Sequence, residues 1–193
     1  MTPIGVTWSG PRIDDPTIRQ SLTSHLWNML TVENGFILNH GALHMRGACQ
    51  SPEWHSLRAA MFGPMAFHQH YRSVLPSDIP FAQDMFGDQY LIRGKEILKL
   101  SAESDDLEPF AKSLKAFVNA LDDNIEEYLN VSLDFDLQPG QLLLAWPPFV
   151  VASESSPQLK AIDGAEVISL HAEIARQIRD MPDGGTFSVQ WTG

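Results

Sequence analysis

A single cysteine, Cys49, stands in this chain of 193 residues, so no disulfide can close within it. Long apolar runs are also missing. The longest, Leu142-Leu143-Leu144-Ala145-Trp146, stops at Pro147-Pro148, far short of the ~20 residues a membrane helix needs. No positively charged start leading into an apolar stretch of about 7–15 residues follows Met1, and the expectation is a soluble, cytoplasmic protein with no membrane partner. Basic residues are scarce, with 13 Lys and Arg against 24 Asp and Glu and a net charge of −11. Nucleic-acid binding rests on neutralising phosphates with Lys and Arg, so nucleic acid is excluded as the expected partner and a basic protein is favoured. There is no G-x-S-x-G elbow for nucleophilic catalysis. Asp183-Gly184-Gly185 lacks the following Lys of a phosphate-binding loop and reads as a turn. Repeats, heptads, low-complexity tracts and a dividing linker are absent as well.

What is present is ample material for one core. Apolar residues make up 44%, and 10 Phe, 5 Trp and 3 Tyr separate this acidic chain from a disordered one. Asp14-Asp15-Pro16, followed by Ile18, Leu22, Leu26 and Met29, predicts a helix from about Pro16 to Leu30. Asn34-Gly35 turns the chain into Phe36-Ile37-Leu38, and Leu43 and Met45 alternate with His44 and Arg46 as in a half-buried strand. Ser51-Pro52-Glu53 opens a short helix with Trp54, Leu57, Ala60 and Met61 on one face, ending at Gly63-Pro64. Phe67 to Arg72 reads as a further strand. Leu107, Phe110, Ala111, Leu114, Phe117, Val118 and Leu121 recur at helical spacing after Ser104-Asp105-Asp106 and predict a helix broken at Asp122-Asp123-Asn124, with Ile125 to Leu129 as a continuation. Val131, Leu133, Phe135 and Leu137 alternate before the Pro139-Gly140 turn. Leu142 to Phe149 reads as a buried strand, Ser153 to Gln158 as a surface loop, Ser169 as the cap of a last helix, and Thr186 to Trp191 as a final strand.

The chemistry-bearing residues divide unevenly. Of the seven histidines, His40 with His44 and His68 with His70 bring imidazoles near each other, but neither pair comes with a cysteine or a carboxylate set that would complete four zinc ligands. They read as surface or core histidines, and no metal or other cofactor is expected. Cys49 has no basic neighbour to activate it and reads as an ordinary loop or buried thiol. The pairs Asp14-Asp15, Asp105-Asp106, Asp122-Asp123 and Glu126-Glu127 lie at helix ends or polar faces, where capping and solvation explain them. Trp8, Trp27, Trp54, Trp146 and Trp191 read mainly as core, with one at the surface.

The densest signal lies between Ile79 and Asp122. Ile79-Pro80-Phe81-Ala82 runs extended to Asp84, Phe86-Gly87-Asp88 turns, and Gln89-Tyr90-Leu91-Ile92 pairs across Arg93-Gly94-Lys95 with Glu96-Ile97-Leu98-Lys99-Leu100. With the earlier Leu30-Thr31-Val32-Glu33-Asn34-Gly35-Phe36, this order over residues 16–122 resembles the SUKH superfamily, which includes bacterial relatives of fungal glucan-synthesis regulators. The resemblance implies an α+β fold in a single domain, 1–193, with a mixed or antiparallel central sheet flanked by helices and with residues 141–193 as a C-terminal helix-and-strand extension on the same core. It also implies a cytoplasmic immunity protein that neutralises a bacterial toxin by stoichiometric binding, without catalysis. No site transfers by motif. The acidic residues around the hairpin and helix start, Asp84, Asp88, Glu103, Asp105, Asp106 and Glu108, are the candidate partner-binding edge, because charge steers encounter while aromatic anchors carry affinity. The alternative is a non-catalytic scaffold or regulator, and an enzyme reading requires an acidic pocket with perturbed carboxylates.

Overall fold

The computed structural model describes residues 5–151, 156–179, 181 and 185. Among them the chain runs β1 (Val6–Ser9), a 3-10 turn at Pro16–Ser21, α1 (Ser24–Val32), β2 (Phe36–Leu38), β3 (Leu43–Met45), α2 (Leu57–Phe62), α3 (Phe67–His70), β4 (Ile79–Asp84), β5 (Gln89–Arg93), β6 (Glu96–Ser101), β7 (Asp106–Ala111), α4 (Leu114–Leu129), β8 (Gln141–Trp146), β9 (Gln158–Asp163) and α5 (Gly164–Ile178). Strands β1 to β7 form one antiparallel sheet in chain order, and β8 and β9 form a separate antiparallel pair. This is a single-domain α+β arrangement, and its sheet is antiparallel. No helix among the described residues is long and apolar enough to cross a membrane.

Side chains alternate across the sheet, and both of its faces are covered. On one face Leu43, Met45, Ala82, Tyr90 and Ile97 join Leu26 and Leu30 of α1 and Phe117, Leu121 and Ile125 of α4 in the main core. On the other, Leu91 and Leu100 pack against Phe67 of α3 and Ala172 and Ala175 of α5. His44, Gln83 and Gln89 share this second face, since His44 pairs with Gln83 and Gln83 with Gln89. The half-buried reading of the Leu43–Arg46 segment is therefore corrected: His44 and Arg46 are buried too, because Trp54 and His55 cover His44 and Phe67 of α3 covers Arg46 on the side that alternation assigned to water.

Five further expectations change. The first predicted helix divides into the 3-10 turn and α1 because Thr23 caps the latter, its Oγ1 accepting from the Leu26 amide at 3.2 Å. Phe67 to His70 is a turn of helix, which sets Phe67 and Tyr71 in contact and leaves His70 half-buried. Asp106 to Ala111 pairs with β6 as an edge strand, and the helix starts only at Leu114, where Ser113 Oγ accepts from the Ala116 amide at 3.1 Å. Pro109 explains this, since proline is costly inside a helix but tolerated on an edge strand. The expected break at Asn124 is a kink within α4, and Asn124 Oδ1 caps the following turn by accepting from the Glu127 amide. Finally, α5 begins at Gly164, well before Ser169, because Asp163 caps the Ala165 and Glu166 amides. The strand expected at Thr186–Trp191 and the first half of the loop at Ser153–Gln158 lie outside the described residues, and Gln158 already belongs to β9.

Candidate functional site

The Phe86-Gly87-Asp88 turn between β4 and β5 organises a cavity at one end of the sheet. Asp84, the last residue of β4, is only 1% exposed. Its Oδ1 accepts from the amides of Phe86 at 3.0 Å and Asp88 at 3.1 Å, the local bonding that lets Asp hold a tight turn. Gly87 has φ +87, and a Cβ there would meet Leu142 Cδ1 at 3.3 Å and His171 Nδ1 at 3.5 Å, so the turn takes glycine without strain and other residues only with it. Because Lys99 lies opposite Tyr90 in the β5–β6 register, it rises on the same face as Asp84. Its Nζ sits 3.3 Å from Asp84 Oδ2 and 3.1 Å from Asp88 Oδ2.

Beside this trio lie Glu103 and His171. Glu103 Oε2 accepts from the Val150 amide at 3.0 Å, while Oε1 is buried and unbonded. His171 projects from α5, and its two ring nitrogens are likewise buried without a hydrogen-bond partner among the described residues. His171 Nε2 stands 3.5 Å from Glu103 Oε1. Buried polar atoms are nearly always bonded, so the orphan pair Glu103 Oε1 and His171 Nε2, side by side in one cavity, has bonding capacity open to the polar group of a guest. The cavity measures about 450 Å³, and Phe86, Ser101, Ser104, Asn130, Phe149 and Val150 complete its lining. Phe149 packs edge-on against Phe86 at 5.3 Å yet remains 54% exposed, and nearby in sequence Trp146 is 51% exposed.

Electrostatics follow from burial. Burial pushes the Asp84 carboxyl up to about 7, with the Asp88 charge adding and Lys99 opposing. Glu103 is pushed up to about 6 by burial, against the Val150 amide that favours its charged form. Burial lowers His171 to about 4, keeping the imidazole neutral near pH 7. Burial alone would lower Lys99, but the carboxylates of Asp84 and Asp88 outweigh it and hold the ammonium above its ordinary value. The site thus sets three carboxyl groups against one ammonium.

Of the six acidic candidates, the fold brings Asp84, Asp88 and Glu103 together. Asp105 turns elsewhere: at φ +64, its carboxylate accepts from the Arg72 and Ser73 amides at 2.9 and 3.2 Å, the Ser73 hydroxyl at 2.6 Å and Arg179 at 3.2 Å. Asp106 and Glu108 are exposed on edge strand β7, with Glu108 opposite Lys99. Lys99, His171 and Phe149 belong to the cavity and had not been singled out. The one available signal was a histidine among the apolar positions of α5, four residues after Val167 and three before Ile174.

Elsewhere, His40 pairs with Asp136 at the surface at 2.7 Å, and His44 bonds the buried His55 at 2.8 Å. Among the described residues no group of three or more His, Cys, Asp and Glu is arranged to hold a metal ion. Cys49 is buried, and burial pushes its thiol up to about 11. No protein-family model matches the chain, and no curated protein matches it.

Proposed function

We propose that this chain is an immunity-type binding protein that neutralises a basic partner, a toxin domain, by taking one of its cationic side chains into the Asp84–Asp88–Glu103 cavity. The observation that carries this reading is one cavity lined by three carboxyl groups, two of them on the Lys99 ammonium and the third, Glu103, with an orphaned Oε1 beside His171. A guanidinium or ammonium entering there donates to Glu103 Oε1 and to the lone pair of a neutral His171, supplying the bonds those atoms lack. Exposed Phe149 provides apolar area beside the charged contact, the combination that concentrates binding energy in a few residues. The net charge of −11 steers a basic partner toward the chain. Occlusion of the partner's working surface then requires no cofactor. The SUKH-like order of residues 16–122 supports the same reading.

The test uses tagged wild-type and E103Q chains as bait in source-cell lysate, with each recovered protein expressed alone and together with this chain. The expected result is a basic protein held by wild type, released by E103Q, and lethal unless the wild-type chain is co-expressed. A partner retained equally by E103Q removes the cavity from the account, and one that is harmless alone moves it to the regulator reading.

A second reading has a specific observation behind it, since the raised carboxyls of Asp84 and Glu103 are the perturbed pair that acid–base catalysis uses. Binding is favoured over it because His171 bonds no hydroxyl or thiol among the described residues, leaving no activated nucleophile.

A further inference from the structure

On the second face of the sheet lies another cavity, of about 400 Å³, between α2, α3 and the start of α5. Its walls are mostly apolar, from Trp54, Ala60, Met65, Phe67 and Ile168, and Arg46 is set into its floor. Arg46 is 2% exposed, and no carboxylate among the described residues pairs with it. Its guanidinium is held by neutral groups alone: Nη1 donates to the Pro80 carbonyl at 3.0 Å, and Nη2 donates to Gln83 Oε1 at 2.5 Å and Gln89 Oε1 at 2.8 Å. The Phe67 ring lies 5.3 Å from its Cζ. Three of the five N–H groups of a guanidinium are thereby used, leaving Nε–H and one Nη1–H without an acceptor among the described residues.

A cation fixed in a dry site without a counter-charge is costly to the fold. It is also an anion receptor that needs no further ordering. Gln83, which also lines the cavity, strengthens this: its Oε1 is committed to Arg46 and to Gln89 Nε2, and its amide N–H groups have no acceptor among the described residues.

We infer that this cavity binds a small organic monoanion, a carboxylate carried on an apolar body, with Arg46 and Gln83 taking the carboxylate. The walls select the apolar body, and the volume falls in the range of about 300–1,000 Å³ found for small-molecule pockets. Two carboxylates also border the cavity, Glu53 and Asp163. Asp163 caps the Ala165 and Glu166 amides, so the start of α5 offers those amides to no ligand, and the pair of acidic rim groups disfavours a dianion such as phosphate. The site is separate from the Asp84–Glu103 cavity and stands whatever the fate of that one.

Phenylacetate and its neutral isostere phenylacetamide are the probes, compared by thermal unfolding and calorimetric titration at constant ionic strength. Phenylacetate is expected to bind with a Kd on the order of 1 mM, as befits about ten heavy atoms, and to raise Tm by about 3–5 °C at ten times Kd. Phenylacetamide is expected to give at least a tenfold weaker effect. R46M removes the charge. A165W blocks the mouth from an exposed first-turn position and leaves Arg46 and its network untouched, so it decides the matter if R46M fails to fold. Loss of the phenylacetate shift in A165W, with the fold retained by circular dichroism, bears the inference out. Absence of a shift in wild type, equal shifts from acid and amide, or a shift surviving in A165W overturns it.

Discussion

Replacing Glu103 with Gln isolates the electrostatic cost of the acidic cavity. Burial lifts the Glu103 carboxyl from its ordinary 4.5 to about 6. The native state therefore holds that proton more tightly than the unfolded chain does. A group raised in this way contributes stability that is fully present below pH 4.5 and lost as pH rises through 6. A gap of roughly 1.5 units corresponds to ~2 kcal/mol at 1.36 kcal/mol per unit, and solvent entering the cavity mouth reduces this to about 1 kcal/mol. The substitution keeps an oxygen for the Val150 amide and turns an NH₂ toward His171 Nε2, which lies 3.5 Å from the oxygen it replaces. Asp84 and His171 titrate in both proteins, so their own contributions largely cancel in the difference. E103Q is thus expected to exceed wild type by about 1 kcal/mol at pH 8 and to match it within ~0.5 kcal/mol at pH 4, read as urea midpoints with unchanged m. A variant less stable than wild type at pH 8, or a difference independent of pH, would refute the reasoning, because Glu103 would then be favourably paired in the free protein and not awaiting a partner. The expected sign is that of a group kept for binding at the expense of stability.

Asp105, as an anchor for two amides, a hydroxyl and Arg179, should cost about 3 kcal/mol on D105A, whereas D106A and E108A on the exposed edge should stay within ~0.5 kcal/mol; chemical denaturation separates them. Phe117 is fully buried and packs against Phe81 at 5.3 Å and Tyr90 at 5.1 Å, so F117A should lose about 3–5 kcal/mol, visible as a large drop in Tm. Burial lowers His55 and His171 to about 4 from 6.5, so each supplies stability above pH 6.5 that is lost as pH falls through 4. Imidazole NMR titration should find both neutral at pH 6, and a midpoint near 6.5 for either would contradict its burial as the cause.

The hairpin of β5 and β6 was legible because Arg93-Gly94-Lys95 separates two short apolar runs and little else competes for them. The helix through Phe117 was legible for its long periodicity, but its start was not. Leu107, Phe110 and Ala111 fit a helical face by spacing, yet Pro109 and the Ser113 cap assign them to an edge strand, and only pairing with β6 makes that visible. Asp84, Asp88 and Glu103 were legible as acidic turn residues, since turn chemistry is local. Their convergence with His171, 68 positions after Glu103, depends on where α5 packs, which no local pattern encodes. Arg46 was misread for a similar reason: alternation beyond β3 marks it as outward-facing, and only its non-local partners, Phe67 of α3 above it and Gln83 and Gln89 of the neighbouring strands, make it a buried cation.

The most direct test of the acidic cavity is an NMR titration of the wild-type chain with N-acetyl-arginine amide and with its uncharged citrulline counterpart. The imidazole signals of His171 and the amide of Val150, which bonds Glu103, report on the site. The arginine compound alone is expected to shift both, and E103Q to abolish the response while remaining folded. Equal shifts from the two compounds, or an unchanged response in E103Q, would contradict it.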